Sequence, residues 1–369
     1  MRWPDTRCKG ACGESRLVDT TARKRWPRWL GPTINVVLSL ALGGFFTWLA
    51  LREVNWAKVG DILGGANYSW VALYCVLMVA VHLVRVWRWG ILLSPLGGVP
   101  FGKLMAQASV GFLAIVLLPF RMGEFVRPYL VSEKGGRVTF SGALATCVVE
   151  RVIDALLVIG ILFLALATVK TKVPTWVITA ASSALAVFGG LLIAVIVALW
   201  KRDASIVFWN KLIGLISKRL AEKLTGILAA FIDGLRALQS APRILGVIGL
   251  SLTYWGIAGL GLWVLFQALH MDLPPTAAFI VNGILVIGIM VPGGPGFTGP
   301  FEMAIRVALV ELFAVSEDLN ASYTILLHGL QFGFSLLVGL LFLFSRHVSF
   351  VRLAHVSAHP SETTTPPGG

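Results

Sequence analysis

The stretch LLPFRMGEFVRPYLVSEK, Leu117–Lys134, ends an apolar run on Arg121, Glu124 and Arg127, set between Pro119 and Pro128. Whether the chain crosses a membrane here or turns back decides the fold, because the orientation of every later segment depends on it. That a membrane is the right setting follows from composition. Of 369 residues, 57% are hydrophobic and only 13% charged, with a mean hydropathy of +0.82. A soluble chain is about one quarter charged. The net charge of +13 then reads as lysines and arginines anchoring cytoplasmic loops under the positive-inside rule, not as a nucleic-acid footprint.

Working outward, six apolar runs are long enough to span a bilayer, which takes about 20 helical residues: 32–51, 69–93, 140–168, 174–200, 244–269 and 322–345. Two shorter runs, 103–119 and 276–291, break at "PFRMGEFVRP" and "PGGPGFTGPFE" and then resume. With the basic N-terminus inside, a full crossing at 103–119 places loop 201–243 outside. That loop holds eight Lys/Arg against three acids, which violates the positive-inside rule. If 103–137 and 276–315 each enter and return, the basic segments fall inside, apart from the short Lys170/Lys172 turn, and both termini are cytoplasmic.

The fold expected is an all-α polytopic membrane protein: about six transmembrane helices plus two re-entrant helical hairpins. Span 69–93, a hairpin and span 140–168 form one unit; span 244–269, a hairpin and span 322–345 form a second of opposite orientation. This is an inverted repeat with discontinuous helices, the layout that places a transport site near the midplane. Irregular backbone at that depth must be buried in protein or line a wet cavity, so the two breaks are expected to face one another across one. Residues 1–30 read as a basic cytoplasmic arm, 31–346 as the membrane domain and 347–369 as a disordered tail. Within the domain, 201–242 is a cytoplasmic amphipathic loop. There Leu212, Ile216, Leu220, Leu224, Ile227, Phe231, Leu235 and Leu238 recur at helical spacing, as on a helix lying along the leaflet.

Charge inside a membrane is costly and needs a reason. Glu150, Arg151 and Asp154 lie in "CVVERVIDALL", about 15 Å along their span at 1.5 Å per residue. Glu150 and Asp154 share a helical face, and Arg151 is expected to neutralise one of them. An internal ion-pair lock and a substrate or proton site are both open readings. Arg85 and Arg88 close span 69–93. Arg88 reads as snorkelling to headgroups, and Arg85, a turn deeper, as the better site candidate. At the first break Arg121 and Arg127 have the chemistry to grip a phosphate bidentately, with Glu124 orienting them and Gly123 allowing close backbone approach. An ordinary cytoplasmic loop is the alternative.

At the second break Gly293, Gly294 and Gly296 give a sharp turn. Gly299 is a candidate N-cap, with Pro300 at N1 and Glu302 at N3. The helix start is expected to offer free N–H groups to an anion, and Glu302 to pair with Arg306. His328 and Gln331 in the last span can face the same cavity, with a helix–helix hydrogen bond the leading reading of a lone membrane histidine. No nucleotide loop, catalytic triad or zinc motif is present in the sequence, and the four cysteines read as reduced thiols. No cofactor and no metal are expected.

The three motifs "PFRMGEFVRPYLVSEK", "ATCVVERVIDALL" and "VPGGPGFTGPFEMA" resemble, in order and spacing from about residue 32 to 345, the membrane domain of lysylphosphatidylglycerol synthases, also called the flippase-like or UPF0104 family. The resemblance implies a lipid flippase of the bacterial inner membrane without the cytosolic aminoacyltransferase domain of two-domain members, so not an enzyme. It carries candidate roles to Arg121, Glu124, Arg127, Glu150, Arg151, Asp154, Gly293, Gly294, Gly296 and Glu302. The partner expected is an anionic phospholipid or a polyprenyl-phosphate lipid of envelope biogenesis. A membrane-embedded lipid-modifying transferase, or a non-transporting partner subunit of an envelope glycosyltransferase or synthase, is the alternative.

Overall fold

The computed structural model describes residues 30–118, 123–132, 138–169, 173–215, 240–291 and 293–344, with short pieces between 217 and 232. The basic arm, the tail, Arg121, Lys134, Arg137 and the Lys170/Lys172 turn lie outside the described residues. Those described are helical or connecting, with no strand among them.

The helices, in chain order, are α1 (Leu30–Leu51), α2 (Trp56–Gly64), α3 (Tyr68–Leu93), α4 (Phe101–Leu117), α5 (Val126–Val131), α6 (Phe140–Leu166), α7 (Thr175–Trp200), α8 (Arg202–Gly214), α9 (Ala241–Ala268), α10 (Pro275–Gly288), α11 (Pro300–Arg306) and α12 (Glu317–Leu343). Local chemistry starts several of them. Asn67 caps α3 through the Ser69 amide, Thr139 caps α6 through Gly142, and Ser316 caps α12 through Leu319; each side-chain oxygen satisfies an N–H that the first turn leaves open. Pro242 and Pro275 sit at the first turns of α9 and α10, where the missing N–H costs nothing.

Four of the six expected spans are long and apolar enough to cross: the α3 segment, α7, α9 and α12. α6 has the length, 27 residues, but carries the three charges. In α1 the apolar stretch runs over Leu40–Leu51. The outer surface is apolar: Val187, Ile193, Trp200, Leu245 and Leu341 are all well exposed, as expected of side chains that meet lipid. α4 and α10 are about 26 and 21 Å long by helical rise, short of the roughly 30 Å hydrocarbon core.

Each short helix packs on the helix that follows its break. α4 packs on α5, and Gln107 Nε2 donates to the Leu130 carbonyl at 2.8 Å. α10 packs on α11, which runs on through a π-helical turn, Val307–Leu312. Between hairpins, α3 lies along α9, α4 against α12, and α6 against α10. Glycines allow the close approaches: a Cβ on Gly339 would sit 2.4 Å from Leu113 Cβ, and one on Gly283 2.8 Å from Leu162 Cβ. Small residues at helix contacts are how membrane helices gain packing without a hydrophobic drive. The amphipathic loop differs from expectation. Its first helix, α8, stops at Gly214, a poor helix former, with Val207, Phe208 and Leu212 exposed. Most of the remainder lies outside the described residues.

Candidate functional site

α6 brings Glu150 and Asp154 to one face, one turn apart, and both point at Arg88 of α3. Arg88 Nη1 donates to Asp154 Oδ1 (2.5 Å) and Ser251 Oγ (2.7 Å); Nη2 donates to Glu150 Oε1 (2.7 Å) and Asp154 Oδ2 (2.9 Å). Glu150 Oε2 accepts from Arg127 Nη2 at 3.1 Å, and Asp154 Oδ1 also accepts from the Trp255 indole at 3.2 Å. Arg88, Arg127, Glu150 and Asp154 are all buried. Two cations balance two anions, which is the condition for keeping such groups out of water. Arg127 lies over the rings of Trp89 and Phe112, at 4.4 and 4.6 Å.

This arrangement corrects several expectations. Arg88 does not snorkel; it is the hub, with 0% exposure. Arg151 does not neutralise Asp154. At 100° per residue it lies on a different face from Glu150, and its Nε is 3.6 Å from Glu124. Glu124 therefore faces Arg151. Arg127 spends its guanidinium on Glu150 and two aromatic faces, so it is not open to a phosphate. The sequence signalled the need for a cation from a facing helix, since two acids share one helical face and Arg151 is off it, but not that Arg88 supplies it.

Beside the lock is a cavity of about 320 Å³. Its walls come from α3 (Tyr74, His82, Arg85), α4 (Ser109, Phe112), α6 (Arg151, Asp154), α9 (Tyr254, Trp255), α10 (Asn282), the Gly296–Phe297 turn and α12 (His328, Gln331). Both broken segments contribute, and Ile115, Val116 and Leu118 also share a smaller cleft with Gly293, Gly294 and Gly296. The end of the first apolar run thus meets the second break; Pro119–Met122 of the first break lie outside the described residues. Arg85 stands over Phe112 (3.9 Å) and Tyr254 (5.5 Å) and has no carboxylate partner among the described residues. Asp154 reaches the same wall, already held by Arg88. Asn282, Gln331 and Tyr74 add neutral hydrogen-bonding groups, with Gln331 Nε2 donating to the Tyr74 hydroxyl at 3.1 Å. His82 Nε2 is 2.9 Å from Ser109 Oγ, a contact the sequence reading missed.

The second break takes the expected turn but not the expected chemistry. Gly296 (φ 71°) and Gly299 (φ 98°) adopt left-handed backbone, which costs glycine little. A Cβ on Gly299 would lie 2.6 Å from the Gly43 carbonyl of α1. Gly299 is the N-cap of α11, and its N–H donates to Glu302 Oε2 at 2.6 Å. Glu302 therefore occupies the helix start that was expected to receive an anion. Its other oxygen is 2.6 Å from His328 Nδ1. Arg306 does not pair with Glu302: it bonds Glu317, and Glu311 is 3.7 Å away. Neither acid lines the cavity.

No solved structure matches the chain. A UPF0104 membrane protein of Methanocaldococcus jannaschii is 25% identical over 221 residues, covering 54% of this chain and 88% of its own. The lysylphosphatidylglycerol synthase TM region matches residues 36–339, a stretch that holds both hairpins, the charge lock and the cavity, and the chain belongs to that family of membrane proteins.

Proposed function

We propose that this protein moves a lipid with an anionic headgroup, a phospholipid or a polyprenyl-phosphate-linked lipid, across the cytoplasmic membrane. The observation that carries the reading is Arg85: a cation without a carboxylate partner among the described residues, facing an intramembrane cavity walled by both hairpins. Intramembrane charge of this kind marks a substrate path by default, and a guanidinium suits a phosphate. Arg151 adds a second positive group on the same wall, while the neutral polar groups opposite suit headgroup hydroxyls.

The packing supports an inverted repeat. Exchanging α3 with α9, α4 with α10, and α6 with α12 maps the α3–α9 contact onto itself and swaps α4–α12 with α10–α6. Two units related in this way can open the shared cavity to either face by rocking against one another. In this reading both hairpins are re-entrant, both termini are cytoplasmic, and the four-charge lock holds α3, α5 and α6 of the first unit as one body, with Ser251 and Trp255 of α9 meeting it from the second. Membership of a lipid-synthase membrane family supports a lipid-related role.

The test is lipid movement by purified protein in liposomes, using fluorescent phosphatidylglycerol and a polyprenyl-phosphate analogue in separate arms. Arg85→Ala should slow movement of the true substrate at least tenfold, equivalent to about 1.4 kcal/mol, with Arg85→Lys in between. Wild-type rates in Arg85→Ala, or no movement of either lipid, would sink the reading. Chemically altered lipid in the same vesicles would point to a transferase instead.

A further inference from the structure

His328 of α12 bridges the two sides of the second break. Its Nδ1 lies 2.6 Å from Glu302 Oε1 and its Nε2 lies 2.9 Å from the Gly296 carbonyl oxygen. The ring stacks on Phe301, centroids 4.2 Å apart, with Phe332 edge-on. The carbonyl can only accept, so Nε2 must carry a hydrogen. The Nδ1–Glu302 contact then needs a second one, on the ring or on the carboxyl group. Glu302 Oε2 is already an acceptor for the Gly299 N–H. A neutral ring beside an ionised carboxylate would set two lone pairs together at one end or the other.

We propose that Glu302 and His328 form a proton-binding site at the cavity wall, and that the geometry seen is its proton-loaded state. One proton, shared between imidazole and carboxyl, ties α12 to both the turn and the start of α11. Its loss breaks one of the two ties. The turn it holds is not relaxed: Phe297, next to Gly296, has φ 64°, a left-handed conformation that is unfavourable for a residue with a side chain. Deprotonation therefore frees a strained turn on the cavity wall. His328, Gly296 and Phe297 all line the cavity, so the proton site and the Arg85 site share one space, and proton binding couples to headgroup binding there. That coupling rests on the transport reading; the proton site does not.

The charged surroundings are defined. From α11, Glu302 faces the ring, while Arg306 is turned to Glu317 and Glu311. α1 and α10 bring no titratable side chain. Across the cavity stand Tyr74, His82 and Arg85 of α3, Arg151 and Asp154 of α6 and Tyr254 of α9, none of which bonds His328, and α4 faces the cavity with no titratable side chain.

The experiment uses the full chain in lipid nanodiscs, labelled with 15N at histidine and 13C at glutamate carboxyls, with Glu302→Gln and His328→Asn assigning the signals. At neutral pH we expect either a doubly protonated His328 ring or a protonated Glu302 beside a singly protonated one. That proton should be lost on raising the pH, together with a shift of the Gly296 and Gly299 amide signals. Glu302→Gln, whose amide donates to Nδ1 and accepts from Gly299, should stay folded and lose the transition. A neutral ring beside an ionised Glu302 at neutral pH overturns the proposal. In liposomes with an imposed pH difference, wild-type movement of fluorescent phosphatidylglycerol should follow the gradient, and Glu302→Gln should move lipid at a gradient-independent rate. An unchanged gradient response in Glu302→Gln overturns the coupling. Vesicles in which the wild type moves no lipid count against the transport reading alone, since the spectra still decide the proton site.

Discussion

At the residue scale the decisive group is Arg88, through which α3 meets Glu150, Asp154 and Ser251 at once. Removing one member of a buried ion pair costs about 3–5 kcal/mol, because the partner charge is left without compensation, whereas replacing the pair by apolar groups is often near neutral. Arg88→Ala should therefore lower the thermal stability of the detergent-solubilised protein sharply. Arg88→Lys should recover little, because an ammonium cannot fork between two carboxylates. The double change Arg88→Met with Asp154→Leu should recover much of the loss, because Glu150 keeps Arg127. Thermal unfolding followed by tryptophan fluorescence reads all three; a double variant no better than Arg88→Ala would show that the lock is not what holds these helices. The acids of this lock were legible in the sequence, since Glu150 and Asp154 stand at i,i+4 in an apolar helix. Their cation was not. Arg88 has the same local context as any arginine near a span's end, and only the packing of α9, which brings Ser251 and Trp255, encloses it.

At the scale of elements, the first hairpin depends on two glycines. A Cβ on Gly111 of α4 would lie 2.0 Å from Arg127 Cγ, and one on Gly123 would lie 2.2 Å from the backbone of Ala114. Glycine to alanine within a helix ordinarily stabilises by about 0.5–1 kcal/mol. At Gly111 the sign should reverse, because the methyl pushes Arg127 off Glu150. Gly160→Ala in α6, where an added Cβ meets nothing within 4 Å, is the control and should be neutral or stabilising. Unfolding temperatures of the two variants, measured side by side, decide the point: equal shifts would mean that the hairpin arms are not held through Gly111. That these segments break was readable from Pro119, Pro128 and the glycines at 293–299. What the breaks do was not, because spacing alone shows neither that Glu302 turns back to cap its own helix nor that Arg306 reaches across to Glu317 instead of one turn back.

At the scale of the whole molecule, the re-entrant reading has a direct check. In a cysteine-free background, Ser132→Cys and Ser205→Cys should label from the same side of the membrane, and Asp272→Cys from the other. Labelling of Ser132→Cys and Ser205→Cys from opposite sides would mean that the first hairpin crosses and the inverted repeat fails. The sequence by itself determined that this is a helical membrane protein of the lysylphosphatidylglycerol synthase TM family, where its helices break and which segments carry charge into the membrane. These properties depend on hydropathy, propensity and charge count along the chain, and no distant contact alters them. Only the tertiary structure decided which charges neutralise each other and which remains available. Arg85, Arg88, Arg127 and Arg151 are alike as residues, and their different fates are set by what the facing helices bring within hydrogen-bonding reach: carboxylates for three of them, aromatic faces and an open cavity for Arg85.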